Sequence, residues 1–483
     1  MTNRYASVVK RADRSGESDG VSAPTIGRRT IIKAAAAGSL GAAWGSSLLA
    51  VVPAHATTKT DGAVFRFPTG GYGPLITDPV GVIDLPEGFR YVELAHPDRT
   101  TLDDGGSIPA RPDALGSFVS GRSIVLASNH ELNEGDERRV PTSDGPSAVP
   151  TYNAGAHGGV SVLTMNRTGT RTSHRPGLAG TVRNCAGGVT PWGTWLTCEE
   201  TEVSIDGIPH GYVFELDPIG RRTQALPYKA MGRFSHEAAA VDPRTSEVYL
   251  TEDNGGNALL YRFQPADRSR RYGSLGKGGT LSALRVPGVS NFGELKDIGT
   301  VISKVAWTPT PTAVGETLPQ DSVDLRSRFA DDHVTRGQKL EGAWWFNGAL
   351  TFVSSFNDSV SSPGLRHEGQ VFRYDPSAST LTLLAYLPVG GRDTLDNENL
   401  SSPDNISVSK FGGVVWCEDG NDPNRIGALD VDGQPFCLAR SREKGELCGV
   451  HFSPDGRWLF VNQQIVGRTL AITGPWTGWA RVR

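Results

Sequence analysis

The chain has 483 residues, with 48 basic and 52 acidic side chains and a formal net charge of −4. It carries no basic tract, which argues against a nucleic-acid partner. Glycine at 59 and proline at 31 imply many tight turns, strand-like runs are short and frequent, and long amphipathic helices are hard to find. The composition therefore points to an all-β protein.

Residues 1–56 read as a leader, with a disordered polar stretch over 1–25. Gly27-Arg28-Arg29-Thr30-Ile31-Ile32-Lys33 is close to a twin-arginine export signal. An alanine-rich apolar run follows over 34–52, and Ala54-His55-Ala56 makes a small-x-small cleavage site. The expectation is passage through the twin-arginine export machinery to the periplasm or the extracellular space; the alternative is a membrane anchor. Five cysteines in an exported chain leave at least one unpaired thiol. Residues 57–483 are expected to form a single domain.

Within that domain one unit recurs six times at the spacing of a propeller. It has a strand, a turn with Gly or Asp-Pro, a second strand ending in acidic or amide residues, and a third strand. The units begin SFVSGRSIVLASNHE (117–131), NCAGGVTPWGTWLTCEE (184–200), HEAAAVDPRTSEVYLTED (236–253), LEGAWWFNGALTFVSSFND (340–358), SPDNISVSKFGGVVWCED (402–419) and LCGVHFSPDGRWLFVNQQ (447–464). Third strands follow at 158–166, 211–218, 257–265, 369–376, 425–433 and 468–473. Turn residues such as Asp242-Pro243, Asn347-Gly348, Gly412-Gly413 and Asp455-Gly456 supply the fixed or positive φ that hairpins need. The pattern predicts a six-bladed β-propeller with each unit giving the inner three strands of a blade. Residues 74–113 read as a lead-in that completes a blade. The polar segment 266–337 breaks the repeat and is expected to be an insertion with local strands that caps one face.

First strands would start, and second strands end, at the same mouth of the central channel. The first set offers Cys185, His236-Glu237, Glu341, Asp404-Asn405 and Glu446. The second offers Asn129-His130-Glu131, Glu199-Glu200, Glu252-Asp253, Asn357-Asp358, Glu418-Asp419 and Asn462-Gln463. So dense a ring of carboxylates cannot stay ionised without cations. Ca²⁺ would resolve the repulsion, and the thiol of Cys185 would add a preference for a transition ion, most simply iron. Neighbours in a strand face opposite ways, so one member of each pair serves the site. Glu199, Glu237 and Glu341 are assigned to it, whereas Asp253, Asp358 and Asp419 fit solvated or turn-capping roles at least as well. Cys198 and Cys417 read as core, Cys437 and Cys448 as free or paired, and Trp192, Trp195, Trp344, Trp345 and Trp416 as packing between blades. No serine elbow, P-loop or G-x-G-x-x-G is present. Catalysis would be metal-borne, with Lys339, Arg183, Arg233 and His236 holding an anionic substrate.

NCAGGVTPWGTWLTCEE, GRFSHEAAAVDP, EGAWW, SPDNISV with WCEDG, and FSPDGRWLFVN with ITGPW together resemble the PhoX-type alkaline phosphatases, in the same order over 70–476. The resemblance implies a six-bladed propeller exported by the twin-arginine route, Fe³⁺ and Ca²⁺ at the channel mouth, and hydrolysis of small-molecule phosphomonoesters by a monomer. By position it implies Cys185 as an iron ligand and Glu199, Glu237, Glu341 and Asp404 as metal ligands, with Glu418 or Glu446 as additions. Lys339 stands where the best-known branch has a phosphate-contacting arginine; a lysine offers a point charge without the bidentate fork. Two readings stand beside this one: a calcium-only propeller hydrolase (a lactonase or phosphotriesterase), and a non-enzymatic propeller in which metals only brace the channel.

Overall fold

The computed structural model describes residues 67–142, 149–220, 222–355, 368–388, 400–420 and 423–476. The leader 1–56 and the pair Asn357-Asp358 lie outside them. The inner strands are Pro112–Ser120, Asn184–Val189, His236–Val241, Lys339–Phe346, Pro403–Val408 and Leu447–Phe452. Each packs on the next, and the last packs on the first, closing a ring of six blades. The fold is the expected all-β six-bladed propeller. Alternation of apolar residues along each strand buries one face against each neighbouring blade. Trp195, Trp416, Tyr212, Tyr249 and Phe352 are among the largest fully buried side chains.

Blade one is complete from its own segment, with Ser123–His130, Gly158–Asn166 and Arg171–Thr181 following the inner strand. Blade six is not. After Leu459–Gln463 and Arg468–Thr473 its outer strand is Arg90–Ala95, from the start of the domain. The lead-in thus completes a blade, as expected. Ring closure is a pairing of the two ends of the domain, which shields the edge that Arg468–Thr473 would otherwise expose.

The segment 266–337 is less of an insertion than its composition implied. Gly279–Arg285 is the regular fourth strand of blade three. Only the remainder is added, and it does supply local strands: Ala306–Pro309 extends blade three and Val301–Ser303 extends blade four. The surrounding segment is polar and rich in glycine, and periodicity alone could not separate such short strands from loop.

One irregularity repeats in every blade. The ladder between first and second strand slips between Pro112 and Leu115, Asn184 and Gly187, His236 and Ala239, Leu340 and Ala343, Pro403 and Ile406, and Cys448 and His451. Such β-bulges re-aim a side chain that the pleat would otherwise send elsewhere. Two residues before the far flank of each slip stand Asp113, Cys185, Glu237, Glu341, Asp404 and Gly449. Five of the six are acid or thiol. In blade six Gly449 leaves room: its φ is +70°, and an added Cβ would lie 2.5 Å from the Asp113 carbonyl oxygen.

Candidate metal centre

The bulges bring their side chains to one mouth of the ring, where the ends of the second strands join them. Three groups result, each with ligand atoms within 4.8 Å of one another: Cys185, Glu200 and Glu237; Asp113, Glu131 and Glu446; and Glu237, Glu341 and Asp404. Glu237 belongs to two of them. The first group contains sulfur; the other two are all oxygen.

Of the sequence-derived candidates, Cys185, Glu237, Glu341, Asp404 and Glu446 therefore meet at the mouth. Glu199, Glu418 and His236 do not. The Glu199 carboxylate points into blade two, where it accepts from the backbone N–H groups of Val182, Gly211 and Tyr212 and lies 2.6 Å from His210 Nδ1. Glu418 likewise accepts from the Ser401 and Arg425 N–H groups inside blade five. His236 stacks on Phe234 with ring centroids 3.6 Å apart and contacts the Gly232 carbonyl; burial depresses its pKa to about 3. It is a buried core ring rather than a cation at the rim that holds an anionic substrate.

Glu199 and Glu418 are turned inward for one reason. At the ends of five second strands, those of blades one, two, three, five and six, it is the later residue that faces the mouth: Glu131, Glu200, Asp253, Asp419 and Gln464. The earlier ones, His130, Glu199, Glu252, Glu418 and Gln463, pair across to the inner strand at Pro112, Asn184, His236, Pro403 and Leu447 and bury in the blade. Asp113 was missed because the first strand was started at Ser117 instead of Pro112. Its signal was the Pro-Asp pair at 112–113, repeated at 403–404 in the same position of blade five.

Basic side chains occupy a matching place. Arg111, Arg183 and Lys339 each stand two residues before a bulge residue, Asp113, Cys185 and Glu341. Arg183 Nη2 is 2.9 Å from Glu131 and also bonds Glu200, tying blade one to blade two. Lys339 Nζ lies 2.9 Å from both Asp253 and Glu341, tying blade three to blade four. Arg233 is used otherwise, donating to the carbonyls of His210, Glu202 and Val203.

Amides complete the shell. Gln464 Nε2 donates to Asp113 and Glu131, each at 2.8 Å. Asn405 reaches Glu237 and Asp404 with its amide nitrogen, and its oxygen accepts from Gly449 N–H. Asn129 donates to the carbonyls of Cys185 and Ala186 and accepts from Trp195 Nε1 and Thr197 Oγ1, which fixes the bulge that presents Cys185.

Among the described residues the mouth gathers nine carboxyl groups and one thiol against Arg183 and Lys339. Burial, then repulsion from Glu341 and Asp404, pushes the Glu237 carboxyl well above its ordinary range. Burial acts first on Asp113, Glu200, Asp404 and Glu446 as well, with neighbouring acids adding to the upward shift. Glu341 rises to about 7 even with Lys339 beside it. The Cys185 thiol is raised by burial and by Asp113. Asp113 Oδ1 is buried with no hydrogen-bond partner. Buried acids with unfilled oxygens are a poor arrangement for an empty protein and a good one for hard cations.

All five cysteines are buried and none is in a disulfide, so Cys437 and Cys448 are not bonded to each other. Cys198 and Cys417 are core, as expected. Trp195 and Trp416 are packed side chains, and Trp345 stacks on Tyr249 at 5.6 Å between blades. Below the ring the channel narrows to a cavity of about 20 Å³ lined in part by Trp195, Trp344, Asn405 and His451. That is room for about one water.

Fold and site together define a six-bladed propeller with a cation-demanding channel mouth. The family model for alkaline phosphatase PhoX matches residues 70–467, and the chain belongs to the PhoX alkaline phosphatase family, phosphomonoesterase hydrolases that depend on metal. Pseudomonas fluorescens PhoX, solved with the transition-state analogue vanadate, superposes with a TM-score of 0.64 at 18% identity, over 85% of this chain and 98% of that one. A Xanthomonas campestris gluconolactonase gives a TM-score of 0.39 at 12% identity, over 84% of this chain and 98% of that one. No curated protein matches the sequence.

Proposed function

We propose that the protein hydrolyses small-molecule phosphomonoesters with iron held by Cys185, Glu200 and Glu237 and calcium held by the two oxygen groups, Asp113–Glu131–Glu446 and Glu237–Glu341–Asp404. The observation that carries the reading is the meeting of one thiol with carboxylates at a mouth that is otherwise all oxygen. Sulfur favours a transition ion, and oxygen favours calcium. Glu237, common to two groups, would bridge them.

Such ions supply Lewis-acid polarisation of a phosphoryl group and offset its charge. The chain's own residues do the rest. Arg183 and Gln464 hold Glu131 and Glu200 in place, and Asn405 orients Glu237 and Asp404. The narrow cavity lined in part by Trp195, Trp344 and His451 leaves room for about one water beneath the acids. The leader supports export by the twin-arginine route to the periplasm or beyond.

The test is release of phosphate from a phosphomonoester panel by protein stripped of metal and then reloaded. Activity should return only with calcium and iron together, and vanadate should inhibit it. Glu237→Gln should lower kcat/KM by more than about 100-fold, since even outer-shell changes cost 10- to 100-fold. Full activity in calcium alone, or in Glu237→Gln, contradicts the reading.

A further inference from the structure

Lys339 offers a long cationic side chain at the mouth of a phosphatase, and a substrate contact is the first role to consider. Its surroundings do not favour that role. Nζ sits 2.9 Å from Asp253 Oδ2 of blade three and 2.9 Å from Glu341 Oε1 of blade four. The charge of Asp419, from blade five, acts on it as well. Its side chain is 19% exposed. An ammonium has three N–H donors; two are taken by carboxylates, and a phosphate approaching the third would meet the charge of both.

The position has a counterpart. Arg183 stands at the same point of blade two, two residues before Cys185, and also bridges acids of neighbouring blades, Glu131 and Glu200. A guanidinium there is planar and forked, whereas an ammonium is compact and close to a point charge. Lys339 is thus the side chain whose head most resembles a bound cation, held 2.9 Å from one carboxylate of each of two blades.

We propose that Lys339 is a fixed internal cation: its ammonium occupies, between Asp253 and Glu341, the place a further divalent ion would take, and so sets how many ions the mouth binds. The inference rests on the metal-dependent reading above and concerns a positioning residue rather than a catalytic one.

Elemental analysis of calcium-loaded, gel-filtered protein tests it, read for wild type, Lys339→Gln and Lys339→Arg. The expected result is one more calcium per chain in K339Q than in wild type, with K339R keeping the wild-type number. Calcium should also raise the Tm of K339Q by more than it raises that of wild type. A K339Q that folds only when calcium is present supports the proposal, and Lys339→Met, close in length and uncharged, should behave as K339Q does. Equal calcium in K339Q and wild type, with KM for a phosphomonoester raised and kcat kept, overturns the proposal and makes Lys339 a substrate contact. Wild type that binds no metal overturns the metal reading itself.

Discussion

Glu199 Oε1 lies 2.6 Å from His210 Nδ1 in the interior of blade two. The next residue in the chain, Glu200, faces the channel mouth and Arg183. The two side chains therefore have different work, and their substitutions should separate. Glu199→Ala strips partners from three buried N–H groups and His210, and should cost about 3 kcal/mol of stability. Thermal unfolding reads this, with metal content per folded molecule unchanged. Glu200→Gln should keep the melting temperature of the metal-free protein and lose iron. Matching losses from the two variants would contradict the assignment.

The raised carboxyls give a pH dependence with a definite sign. For an acid whose folded pKa lies above its unfolded value, the contribution to stability is present at low pH and is lost as pH rises through the folded value. Glu341 moves from 4.5 to about 7, and Glu237, Glu200 and Asp404 shift the same way, first through burial. Chelated protein should therefore melt at progressively lower temperature as pH rises from 4.5 to 7. Calcium should remove or reverse that slope, because it stabilises the ionised carboxylates. A chelated protein whose Tm climbs over this range would count against burial as the dominant cause.

Closure of the ring depends on Arg90–Ala95 pairing with Arg468–Thr473. Removing residues through Ala95 leaves that edge unpaired and uncovers the apolar side of blade six. The expected outcome is aggregated protein, or soluble protein with a far lower Tm, read by gel filtration and circular dichroism. Removing only residues 1–66 should leave the Tm unchanged.

Blades two and three pack backbone against backbone at Gly188. A Cβ there would stand 1.6 Å from the Ala239 carbonyl oxygen, and backbone cannot swing aside as a side chain would. Gly188→Ala should destabilise by at least about 2 kcal/mol and lower the Tm by several degrees. An unchanged melting curve would show that the blades separate there at little cost.

The repeat was legible because each blade writes its turn chemistry and its acidic strand end into the chain. Cys185, Glu237, Glu341 and Asp404 could be found from the starts of the inner strands. The facing of the second strands could not. A strand alternates with period two, so being one residue out sends every side chain to the opposite face, and Glu199 and Glu418 went with it while Glu200 and Asp419 were set aside. Lys339 was visible as a cation at the rim. Its engagement by Asp253 and Glu341 depends on two blades meeting, which no local pattern records. The strand Gly279–Arg285 was hidden for another reason: an outer strand with few apolar residues looks like loop.

Elemental analysis of folded protein purified without chelator, beside its Cys185→Ala variant, bears most directly on the mixed-metal site. The account predicts iron and calcium together in the wild type, and in the variant loss of iron with calcium and the melting temperature largely kept. Calcium without iron in the wild type, or iron unchanged in the variant, would contradict it.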